Sequence, residues 1–151
     1  MTIAERLSSL GLILPDPPPR GGEYVPAVQV GQLLFVSGHG PYRDGEYIRG
    51  KVGADVSLEA ARDAARVTML NVLATVHATL GGLERVERAV KVLGMVNSDP
   101  EFEKHSQVID AGSELLVEVF GDRGRHARSA VGLAALPSGI CVEIEVIFAV
   151  S

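Results

Sequence analysis

The chain has 151 residues, 46% hydrophobic and 22% charged, a balance that excludes wholesale disorder and fits a single domain. A folded monomer of 16.0 kDa exposes about 7,400 Å² against roughly 23,000 Å² unfolded, so a full core forms without staples. A net charge of −5, one cysteine and four histidines without ligand spacing argue against a general grip on nucleic acid, an internal disulfide and a structural zinc site.

Residues 1–10 are predicted to form a short helix with Ile3, Leu7 and Leu10 on one side. Pro15 to Gly22 then forces extended chain. Residues 1–21 therefore read as a helix and Pro-rich arm, packed on the body because Leu10, Leu12, Ile13 and Leu14 need cover. That apolar run is too short for a secretion signal or a membrane span, so the expected location is cytoplasmic.

The body is one domain over residues 22–151. Val28–Val30 and Leu33–Gly38 suggest two strands around a turn at Gly31, and Pro41–Gly53 reads as a loop with turn signals at Asp44-Gly45 and Arg49-Gly50. A helix starts at the Ser57 cap and stops at Gly81-Gly82. Val86–Val96 is the next strand. A second helix is predicted to open at Ser98 or Asp99, with Pro100 in its first turn, and to end at Gly121. His126–Leu136 and Ile140–Val150 are read as a terminal hairpin turning at Pro137–Gly139. The order ββ-α-β-α-ββ is that of an α+β domain with two helices on one face of a mixed sheet.

Period-two parity then sorts the last strands. Val142, Ile144, Val146, Phe148 and Val150 face the helices, and Cys141, Glu143 and Glu145 face away. In the hairpin register, Ser129, Val131 and Leu133 share the core parity. Arg128, Ala130, Gly132 and Ala134 join the carboxylates on the second face, with Glu143 about 13 Å from Arg128 along the strand. That face is too apolar for solvent and too charged for a core, so it is expected to be buried against other subunits around a cavity. An arginine beside small residues is a natural carboxylate receptor; the competing reading is an Arg128–glutamate ion pair that knits the sheet. Cys141 reads as inert packing, His77 and His105 as solvated, and the run Arg123, Arg125, His126, Arg128 as a basic cluster at a loop.

Ala127-Arg128-Ser129-Ala130-Val131, Leu136-Pro137 and Val142-Glu143-Ile144-Glu145 together resemble the C-terminal signature of the Rid/YjgF reactive-intermediate deaminases, also labelled L-PSP endoribonucleases. Tyr24–Val28 and Leu34–Gly38 look like the first strands of that family, and the Leu10-Gly11-x-x-Leu14-Pro15 opening is similar to a longer branch. The resemblance implies a chorismate-mutase-like fold, a homotrimer with the sheets lining a central barrel, and ligand sites between subunits. It implies hydrolysis of enamine and imine intermediates to 2-keto acids and ammonia, with no metal or organic cofactor. Arg128 matches the arginine that binds the substrate carboxylate. Glu143 matches the glutamate that positions or activates the attacking water. Tyr24, Ser37, Gly38, His39 and Ala130 fall at pocket-lining positions. His39 and His126 depart from the family's usual Gln and Pro, and His39 is read either as a pocket residue or as a strand-end histidine bonded to backbone. Other readings are a trimeric binder of small carboxylates without turnover and a ribonuclease; the acidic charge and the lack of an aromatic platform argue against the latter.

Overall fold

The computed structural model describes residues 1–151. Its accessible surface is 7583 Å², close to the value expected for a monomer of this mass. Helix α1 (Ile3–Ser9) opens on a capping box in which Thr2 and Glu5 satisfy each other's backbone amides. Ile3 is buried, and Leu7, Leu12 and Leu14 pack against the core, whereas Ile13 is exposed.

Strands β1 (Ala27–Val30) and β2 (Leu33–His39) pair antiparallel around Gly31. The segment read as a loop contains a small hairpin, β3 (Tyr42–Arg43) and β4 (Glu46–Tyr47), turning at Asp44-Gly45. Helix α2 (Leu58–Leu80) has the predicted ends: the Ser57 hydroxyl accepts from Ala60 N, and Gly81 takes the left-handed C-terminal position. Strand β5 (Val86–Asn97) follows, then α3 (His105–Phe120), β6 (Ala127–Leu133) and β7 (Val142–Val150). The main sheet runs β1-β2-β7-β5-β6, with only the β5–β6 pair parallel, and α2 and α3 cover one face. Gly94 of β5 lets α3 approach closely: a Cβ there would sit 2.6 Å from Ile109.

Five expectations need correction. The second helix begins at His105, not at Ser98 or Asp99. The Asp99 carboxylate and carbonyl instead bond Glu101 N and Phe102 N, while Asp99 N and Asn97 O tie the segment to Val52. Those backbone bonds hold Pro100 in a turn outside the helix.

The terminal hairpin does not form. Strand β5 lies between β6 and β7. The β5-α3-β6 unit is a helical crossover, which makes β6 parallel to β5. A 3₁₀ turn at Pro137–Gly139 then carries the chain across the end of β5, where Gly50, Ile48 and Asn97 bond residues 139 and 141. Strand β7 thus enters on the far side of β5 and pairs on both edges.

The β6 parity is consequently inverted. Arg128 sits beside Val92, and Ala130 beside Gly94, on the helix side. Ser129 and Val131 lie on the open face. Both faces of β6 carry apolar residues, so hydrophobicity could not distinguish them.

Two side chains also differ from expectation. Cys141 is fully buried within the core cluster, not displayed on the second face, and burial pushes its thiol up to about 11. His105 is half-buried, its Nε2 3.1 Å from Ser98 Oγ and its ring edge-on to Phe102. His77 is exposed, as read.

Candidate active site

Helix α3 and the β6 edge build one polar cleft, lined by Asp110, Ser113, Glu114, Arg125, His126 and Arg128. Ser106, Asp110 and Ser113 follow i, i+4, i+7 spacing and form a polar stripe along one side of the helix. Arg128 lies against that stripe. Its Nη1 donates to Asp110 Oδ1 at 2.8 Å and to Ser113 Oγ at 3.1 Å; its Nη2 donates to Ser106 Oγ at 2.7 Å and Ser106 O at 3.4 Å. Only 18% of the Arg128 side chain is exposed, so these partners replace water around a largely buried charge.

His126 stands at the mouth of the same cleft. Its Nδ1 lies 2.6 Å from the Gly124 carbonyl, an acceptor only, which assigns the proton to Nδ1. Nε2 then accepts from the Ser113 hydroxyl at 2.9 Å, and Ser113 accepts from Arg128. Burial lowers the His126 pKa, against the Gly124 bond, and the Arg128 charge lowers it further.

The second cluster lies across the sheet. Glu143 shares a row with Met95 and, beyond it, Val131 on the face away from the helices. A bulge between Val36 and His39 places Ser37 and Gly38 at this end of β2. The Glu143 carboxylate rests on Gly38, where a Cβ would collide with Oε2. Burial pushes the Glu143 carboxyl above the usual carboxylate range, and the neighbouring Glu145 charge adds to the rise.

Tyr24, Gly38 and His39 line a small cavity with Arg20, Gly40 and Tyr47. Gly21 N donates to the Tyr24 hydroxyl at 2.9 Å, and Arg20 donates to the Tyr24 carbonyl at 2.8 Å, fixing the arm against this cavity. Ser37 Oγ donates to Val25 O at 2.7 Å. His39 is buried, its Nδ1 2.6 Å from the Ser37 carbonyl and its Nε2 2.7 Å from Thr75 Oγ1. Burial lowers its pKa, with the Ser37 bond opposing. These bonds make His39 a satisfied strand-end histidine that also lines the cavity.

The sequence-derived residues therefore divide in two. Tyr24, Ser37, Gly38, His39 and Glu143 gather around the β2 bulge. Arg128 and Ala130 lie on the helix side at the opposite edge of the sheet. Within one chain the sheet itself separates Arg128 from Glu143, so the facing geometry expected from a hairpin is absent.

Sequence reasoning missed Ser106, Asp110 and Ser113, although their helical spacing is readable. It also missed Arg20 and Asn71. Asn71 donates from the buried face of α2 to the carbonyls of Gly40 and Tyr42 and holds the cavity's lower rim. No three of His, Cys, Asp and Glu side chains come together in a metal-holding group, and no helix is long and apolar enough to cross a membrane.

A five-stranded mixed sheet carrying two helices on one face, with a polar cleft at its β6 edge, defines an α+β protein of the chorismate-mutase-like class. The chain belongs to the family described as "YjgF/chorismate mutase-like, putative endoribonuclease", whose sequence profile matches residues 4–148. It is 41% identical over 145 residues to Protein TCP17 of Trypanosoma cruzi, covering 95% of this chain and 91% of that one. The crystal structure of Atu1372, a protein of unknown function from Agrobacterium tumefaciens, is similar with a TM-score of 0.90 and 42% identity, covering 99% and 92% of the two chains. A structure from Shewanella oneidensis, described as a "putative endoribonuclease", superimposes with a TM-score of 0.96 at 30% identity, covering 99% of this chain and 100% of that one.

Proposed function

We propose that the protein hydrolyses reactive 2-imino acids, and the enamines that tautomerise to them, to 2-keto acids and ammonia. The site is completed between copies in a homotrimer, Arg128 coming from one copy and the Glu143–Gly38–Tyr24 cluster from its neighbour. The observation that carries this reading is the division of the site. A guanidinium suited to a carboxylate and a carboxyl raised toward neutrality lie on opposite sides of one sheet.

In this reading Arg128 binds the substrate carboxylate and orients C2. Glu143 holds a water and takes its proton as the oxygen bonds to C2. That proton passes to the imine nitrogen to give a carbinolamine; the C2 hydroxyl proton then passes to the same nitrogen, again by way of Glu143, as the C2–N bond breaks and C2=O forms, so imine plus water gives keto acid plus ammonia. The substrate is intrinsically unstable, and positioning one water supplies most of the acceleration. A carboxyl with a raised pKa suits both halves of that proton transfer. The apolar open face supports assembly: Val28, Val30, Phe35 and Val131 are each more than 40% exposed there.

The test generates 2-imino acids in place with an amino-acid oxidase and follows keto-acid release against semicarbazide trapping. Wild type should accelerate release, and Arg128→Ala should lose about 100-fold in kcat/KM through one charge-assisted contact. Binding of 2-oxobutyrate without any acceleration would instead make the protein a carboxylate binder. RNA cleavage that survives Arg128→Ala would place ribonuclease activity outside this site.

A further inference from the structure

We propose that Asp110 is the resident occupant of Arg128, a carboxylate that an incoming ligand carboxylate must displace, and that this exchange sets the affinity and selectivity of the site. The inference rests on Arg128 being the carboxylate receptor. It concerns what holds that receptor before a ligand arrives.

Counting donors leads to it. The four terminal N–H groups of Arg128 meet Asp110 Oδ1, Ser113 Oγ, Ser106 Oγ and Ser106 O. Only the Nε–H lacks a partner in the chain. A two-pronged carboxylate grip needs two parallel N–H groups, so the best prongs are already taken. A second carboxylate on the same guanidinium would also lie close to the Asp110 charge, which is unfavourable for both.

The partners differ in how readily they leave. Asp110 is 44% exposed and can turn into water, regaining its hydration. Ser113 is held differently. Its proton points to His126 Nε2, which keeps a lone pair aimed at Arg128 Nη1. Ser113 therefore retains the guanidinium in place when Asp110 departs. The remaining carboxylates of the cleft are paired elsewhere, Glu114 with Arg62 at 3.3 Å and Glu118 with Arg66 at 2.9 Å. Arg125 pairs with Asp122. Asp110 is thus the cleft carboxylate that a ligand meets on Arg128. A full ligand carboxylate replaces its charge-assisted bond like for like. A neutral carbonyl or amide does not, and is rejected.

Titration of wild type, Asp110→Asn, Asp110→Ala, Asp110→Glu and Arg128→Ala with 2-oxobutyrate and with neutral 2-oxobutanamide tests this. Asp110→Asn should bind 2-oxobutyrate roughly tenfold more tightly, the value of one charge-assisted hydrogen bond no longer competed for. Asp110→Ala should move the same way, Asp110→Glu should not tighten, and the amide should show no gain. Unchanged or weaker keto-acid binding in Asp110→Asn, an equal gain for the amide, or no binding by any variant overturns the proposal. Failure of the hydrolase reading appears separately, as equal keto-acid release by wild type and Arg128→Ala.

Discussion

The two halves of the candidate site are built on opposite principles. The Arg128 cleft is saturated: the buried charge has a counter-ion and hydroxyl partners, all supplied by one helix face. The Glu143 end is unsaturated. Its carboxyl lies half-buried on a bare glycine, beside a second carboxylate, with no cation bonded to it. A buried arginine must be paired to be tolerated, whereas a carboxyl can answer burial by holding its proton more tightly. In the proposed reading the first half exchanges ligands and the second moves a proton. The sheet lies between them, and the proposed site therefore needs two copies.

The sharpest way to break this comparison is to put each half on a different chain. Arg128→Ala and Glu143→Gln should each be strongly impaired, the former by about 100-fold in kcat/KM. Unfolding and reassembling a 1:1 mixture should restore roughly a quarter of the wild-type sites if every site is shared by two copies of a closed ring. No recovery in verified mixed oligomers would refute the shared site. The next largest effect is on assembly. Phe35→Asp places a charge on the open face, which is apolar at Val28 and Ile147. Sedimentation should show dissociation into single chains with the far-ultraviolet spectrum retained; an unchanged sedimentation coefficient would move the interface elsewhere.

Gly38→Ala probes the Glu143 end alone. The new Cβ displaces the Glu143 carboxylate, so kcat should fall by up to about 100-fold for a reacting group misplaced by an ångström, while 2-oxobutyrate affinity through Arg128 stays nearly constant. Equal losses in both would mean the halves are not separate.

The smallest effect is on stability, and its sign differs between residues. Burial lowers the His39 pKa, so its folding contribution is present above the unfolded value near 6.5 and is lost as pH falls below it. For Glu143 the folded pKa is raised, so its contribution is present at acidic pH and lost as pH rises through the folded value. Glu143→Gln should therefore melt higher than wild type at pH 8 and converge with it near pH 4. His39→Gln should flatten the acid side of the melting profile. Parallel profiles for all three proteins would count against both assignments.

Legibility from sequence followed the range of the interaction involved. The ends of α2 were readable because Ser57 and Gly81 act within one turn. The buried parity of β7 was readable because one face is apolar without interruption. The start of α3 was misread because backbone bonds to Val52, remote in sequence, hold Asp99 and Pro100 in a turn. The side on which Arg128 lies was misread because parity gives alternation but not absolute direction. Its direction depends on which strand β6 pairs with.

The amino-acid sequence by itself determined the strands of the main sheet, α2 and the C-terminal end of α3, the core residues of α2 and β7, and, through the motif around Arg128 and Glu143, the family. Those are properties of short spacing and residue chemistry. Only the tertiary structure decided that β5 separates β6 from β7, that Arg128 turns to α3 and Asp110, and that Glu143 meets Gly38 on the other face. Strand neighbours and crossover handedness arise from packing among distant segments, and a period-two pattern is the same whichever strand lies alongside.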